Sequence, residues 1–158
     1  MRKYFLITIF SLILVLLEES FAGEFLGAAL NPNLILALSF AFLFADDRRA
    51  SLYSALIGGL WLDLMGVGIV GLSSFMLVLL LILASWIRNA LFKGVWVQVV
   101  VIVCSTMLFK LIMNYPQMNY SWKLVVAGIL TSLISLIFYW GLSRTRQRFL
   151  SFEFRIRA

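Results

Sequence analysis

Few side chains in this sequence are equipped for chemistry, and Asp63 is the most informative of them. It sits in an apolar stretch, ~20 Å along a helix that would start near residue 50. A carboxylate at such depth among apolar residues is costly and requires a partner. Gly66, Gly68 and Gly71 follow it and lead into Leu72-Ser73-Ser74. The ordinary role for such an acid is to accept hydrogen bonds from the free N–H groups at the next helix start, where the helix dipole also favours an anion. A proton or ligand site is the alternative. Lys110 lies ~22 Å into its own segment, at similar depth. It either pairs with Asp63 or extends its ammonium to the membrane surface, the usual course for a long side chain near a helix end.

The remaining chemistry is thin, and the chain reads as a non-enzyme without cofactor or metal. There is no histidine, which removes the usual zinc and haem ligands and any Ser-His or Cys-His pair. An aspartyl site needs two carboxylates, and Asp63 is the one acid well inside an apolar segment. Asp46-Asp47 is followed at once by Arg48-Arg49 and reads as a solvated turn. Gly58-Gly59 lacks a phosphate-loop pattern, and Ser73 and Ser74 have no evident base. Cys104, the single cysteine, lies in an apolar run as an inert thiol.

The elements that carry these residues are set by hydropathy. Of the 158 residues 63% are apolar and 13% charged, and the mean hydropathy is +1.04. A soluble domain of this length is about half apolar and a quarter charged. The surplus is expected to face lipid, which argues against a soluble enzyme, a disulfide scaffold or a disordered chain. Six apolar segments follow one another, at 4–17, 28–45, 50–70, 72–87, 95–113 and 124–142. They predict an all-α polytopic membrane protein, with six transmembrane helices in one compact bundle over residues 1–142. A short basic tail, 143–158, follows. The first two segments are the weaker, and Asn31-Pro32-Asn33 delays the second, with Pro32 suited to a first helical position.

Six spans put both termini on one side. Arg2, Lys3, Arg48, Arg49, Arg88, Lys93, Arg144, Arg146, Arg148, Arg155 and Arg157 fall on that side, against Lys110 and Lys123 on the other. The positive-inside rule makes the richer side cytoplasmic, so the acidic cluster Glu18, Glu19 and Glu24 faces outward. This placement also accounts for the net charge of +6 without nucleic acid. Residues 1–22 resemble a signal peptide ending in Ser20-Phe21-Ala22, but the two glutamates before that site favour retention as a first helix.

The third segment divides into two faces. Ser51, Ala55, Gly59 and Asp63 are spaced four apart, with Ser54, Gly58, Leu62 and Gly66 beside them, so these small residues share one side. Small residues let helices approach closely, and this face is expected to point into the bundle with Asp63. Tyr53, Ile57, Trp61 and Met65 form the opposite face and are the candidates to meet lipid or a partner. In the tail, Arg144, Arg146 and Arg148 would contribute ~1 kcal/mol each against an anionic leaflet. Residues 152–157 alternate apolar and charged, a strand-like pattern suited to docking or to a frayed terminus.

Asn31-Pro32-Asn33-Leu34, Gly58-Gly59-Leu60-Trp61-Leu62-Asp63 and Gly68-Ile69-Val70-Gly71-Leu72 together resemble the rod-shape-determining MreD family, most closely over residues ~30–80. That resemblance implies a multi-pass protein of the bacterial inner membrane, a non-catalytic scaffold or regulator of peptidoglycan synthesis in cell elongation. The partners it implies are MreC most directly, with RodA, its transpeptidase and MreB in the wider complex, besides membrane lipid. The layout is also similar to the vitamin-binding subunits of energy-coupling-factor transporters. That alternative needs a polar, aromatic-lined cavity around Asp63, Trp61, Asn114 and Tyr115.

Overall fold

A computed structural model describes residues 2–22, 31–66, 69–90, 95–113 and 122–156; side chains at 2, 21–22, 88–90, 95, 113 and 145–156 are outside the description. All regular structure in these residues is helical. Helix α1 (Arg2–Leu17) runs on through one π turn (Glu18–Ala22), and is followed by α2 (Leu34–Phe44), α3 (Arg48–Met65), α4 (Leu72–Ala90), α5 (Val95–Met113) and α6 (Trp122–Ile156).

Helix α2 is the centre of the fold. Every residue from Ile35 to Phe44 is buried, and α2 touches each of the other five helices. Eleven residues make a rod of only ~16 Å, shorter than the expected second segment. The shortening at its start follows from Asn33, which is extended and whose Oδ1 accepts from the Leu36 N–H at 2.7 Å. This side-chain cap begins the helix at Leu34 and leaves Asn31-Pro32 outside it. The turn to α3 is equally tight. Asp46 takes φ 61°, a left-handed conformation that Asp tolerates better than most residues. Asp47 then caps α3 through Ala50 N–H at 3.1 Å and pairs with Lys3 of α1.

Polarity is arranged inside out. Ser11, Ser39, Ser54, Thr106, Thr131, Ser132 and Ser135 are buried, while Phe5, Leu64, Phe75, Ile82 and Ile137 are at least 59% exposed. Ser39 and Ser54 join their hydroxyls at 3.0 Å between α2 and α3, and Ser51 donates to the Ser39 carbonyl at 2.8 Å. Thr106 and Thr131 donate to carbonyls four residues back in their own helices, each at 2.8 Å. By length and composition, one described stretch, Trp122–Arg144, is apolar enough to cross a membrane; Leu34–Phe44, Leu72–Ile87 and Trp96–Ile112 are apolar but shorter.

Helix α6 also corrects the reading of the tail. The chain remains helical from Trp122 to Ile156, so the alternation at 152–157 makes no strand over the described part. No proline interrupts this stretch, and six alternating residues are too few to overrule a helix already propagating into them. Arg144 lies over the Trp140 ring at 5.0 Å. Arg146, Arg148 and Arg155 fall on the same continuous helix, and Arg157 lies outside the described residues.

Candidate functional site

The polar groups that matter collect where two helices begin. At α4, the reach of Asp63 depends on how closely α3 and α4 approach. A Cβ built on Gly59 would lie 2.4 Å from Ser74 Cα and 2.6 Å from its N, a contact that only glycine permits. Ser74 Oγ donates to the Leu56 carbonyl at 3.0 Å across the same seam. One turn along α3, Asp63 is therefore brought against the start of α4. Its Oδ2 accepts from Gly71 N–H at 2.7 Å and its Oδ1 from Ser73 N–H at 3.0 Å. Gly71 has φ +95°, which turns its N–H toward α3 in a conformation other residues rarely adopt. Asp63 is 6% exposed, and both carboxylate oxygens are engaged in capping.

The start of α2 is built on the same plan, with Glu18 in the part of Asp63. Glu18 Oε2 accepts from Leu34 N–H at 2.9 Å, and the Glu18 carbonyl accepts from Asn31 Nδ2 at 3.2 Å. Asn33 N–H donates to Thr131 Oγ1 of α6 at 3.2 Å. In both places an acid at the end of one helix receives the free N–H groups at the start of the next. Lys110 of α5 is 6% exposed. No Asp63–Lys110 pair occurs among the described ion pairs.

Glu18 is the capping residue that the sequence reading missed: it is buried, whereas Glu19 is exposed and Glu24 lies outside the described residues. The usable signal is an acid ending one apolar segment and an Asn-Pro-Asn opening the next, the same order as Asp63 and the glycine-rich start of α4.

The structure places Ser51, Ala55, Gly58, Gly59 and Asp63 in the interior of α3. A Cβ on Gly58 would come within 2.4 Å of Ile35 Cγ2, so adjacent glycines admit α2 on one side and α4 on the other. Gly66 has a different role: it is exposed and ends α3, its N–H donating to the Leu62 carbonyl at 2.8 Å. The bulky face is also corrected. Tyr53 is half-buried against α1, its hydroxyl 3.0 Å from Thr8 Oγ1 and its ring 4.9 Å from that of Tyr4. Ile57 and Trp61 are half-buried too, and Met65 alone of the four is exposed. The outward row of α3 is instead Leu52, Leu56 and Leu64, one residue or ~100° around the helix. Periodicity locates two faces but cannot say that α1 covers part of the second.

An apolar groove of ≈ 490 Å³ opens between α4 and α5. Leu83, Ala84 and Ile87 form one wall, and Trp96, Val100, Cys104, Ser105 and Leu108 belong to the other. These consecutive helices touch far less than α3 and α4 or α5 and α6 do. Cys104 is exposed there, not enclosed by its apolar run. Of the cavity considered for a vitamin, Asn114 and Tyr115 lie outside the described residues, while Trp61 packs against the core. Comparison with known protein families, curated proteins and solved structures finds no match for this chain.

Proposed function

We propose that this chain is a six-helix membrane bundle with cytoplasmic termini. In that reading it is a non-catalytic scaffold of the bacterial cell-elongation machinery, as its resemblance to the MreD family implies. The apolar exterior with hydroxyls turned inward supports placement in a bilayer, since lipid rewards apolar surfaces and disfavours polar ones. Lys3 of α1 and Asp47 of the α2–α3 turn meet at one end of the bundle, while Glu18 and the start of α2 meet at the other. That alternation is what successive crossings require.

The observation that carries the scaffold reading is the groove between α4 and α5. Ala84, Cys104 and Ser105 line it together with Leu83, Val100 and Leu108. Small residues flanked by branched ones admit a neighbouring helix closely. A bitopic partner such as MreC presents a single helix of that kind. Asp63 and Glu18 have structural employment at helix starts, which suits a protein that organises others. Against the vitamin-binding alternative, both carboxylate oxygens of Asp63 are already engaged at the start of α4.

The test is depletion combined with membrane pull-down. Loss of the protein is expected to widen cells and disperse wall incorporation, and MreC is expected to co-purify with it. Normal width and wall incorporation after depletion, with MreC absent from the pull-down, would refute the reading.

A further inference from the structure

A second cavity, of ≈ 320 Å³, lies on the other side of α4, between its last turns and the start of α3. Arg48, Ser85 and Trp86 lie toward the helix ends of this pocket, with Leu52, Leu81 and Ile82 one turn further along their helices and Leu43 of α2 and Ser51 behind them. It is thus amphiphilic along its length. A guanidinium with five N–H donors, a half-buried hydroxyl and an indole occupy one end, and branched aliphatic side chains the other. Trp86 is 76% exposed, a position typical of an indole at a membrane–water boundary.

The geometry points to a binding site for an anionic phospholipid of the cytoplasmic leaflet. Its phosphate would lie against Arg48 and Ser85, and one acyl chain along Leu52, Leu81 and Ile82. The inference rests on the membrane placement above but not on any protein partner. Charge selects the lipid class. Arg48 and Arg49 are both exposed at this end. Basic pockets between helices on the cytoplasmic side are suited to acidic headgroups, and each basic side chain near the surface contributes about fivefold in affinity. A zwitterionic headgroup brings a choline or ethanolamine cation to the same guanidinium and loses that advantage.

The test uses the full chain in phosphatidylcholine vesicles containing a minor fraction of brominated lipid, which quenches nearby indoles. The Trp86-dependent signal is isolated by comparison with Trp86→Phe. Brominated phosphatidylglycerol is expected to quench that signal at about one-fifth the mole fraction that brominated phosphatidylcholine requires. Arg48→Ala should bring the two lipids level, and Leu81→Phe, which fills the acyl end while leaving Arg48 in place, should weaken quenching by phosphatidylglycerol. Inorganic phosphate should leave the preference unchanged. Equal quenching by both lipids, a preference that survives Arg48→Ala, or displacement by phosphate alone would overturn the site. Failure of the protein to float with vesicles of either composition would overturn the membrane placement and the lipid site with it.

Discussion

Glu18 holds the start of α2 by accepting from the Leu34 N–H. A buried backbone donor left without its acceptor costs about 1–3 kcal/mol. Glu18→Ala is therefore expected to destabilise the protein by about that amount in reversible unfolding from detergent micelles, and Glu18→Gln, which keeps an acceptor oxygen, should recover part of the loss. The pairing of Asp63→Asn with Lys110→Met should be close to additive, because Asp63 is committed to Gly71 and Ser73. Strong coupling between Asp63 and Lys110 would contradict this assignment. The capping role of Asp63 was legible from its depth and the glycines that follow it. Whether it lies beside Lys110 was not, because depth along a helix fixes one coordinate and does not say which helices are neighbours.

Between elements, the two glycines of α3 differ in what they face. Gly59 abuts the Ser74 backbone, while Gly58 abuts the Ile35 side chain. Gly59→Ala must push α4 away and draw its first turn off Asp63, at about 2 kcal/mol or more by the usual cost of overpacking. Gly58→Ala meets atoms that a second mutation can remove. In a double-mutant cycle, Ile35→Ala should absorb most of the Gly58→Ala penalty, whereas Leu62→Ala, which clears no backbone, should leave the Gly59→Ala penalty intact. Equal rescue of both glycines would contradict the packing described. The small face of α3 was readable because a four-residue spacing is a direct image of helix geometry. The opposite face was misjudged by about one residue, since nothing in its own sequence records that α1 lies over Tyr53. The tail was misjudged for a related reason: a short alternation says nothing about the long helix that runs into it.

Across the whole molecule, hydropathy revealed the succession of helices, but not that the second would be short and central. Burial of α2 on every side depends on five neighbours, and a sequence of eleven mostly apolar residues looks the same in lipid as in a protein core. Nor does any sequence pattern disclose that α4 and α5, adjacent in the chain, stand apart while α5 and α6 pack. That separation is where the functional account is concentrated, and Cys104, the single cysteine, is exposed within it. The most direct measurement is therefore thiol-directed crosslinking from Cys104 in membranes of growing cells, with Cys104→Ser as the blank and Ala84→Phe to fill the groove. A crosslinked product containing MreC, absent from Cys104→Ser and weakened by Ala84→Phe, is the result expected. Labelling of Cys104 by a small thiol reagent with no protein crosslinked to it, in cells whose elongation is normal, would contradict the proposal that this groove receives a partner helix.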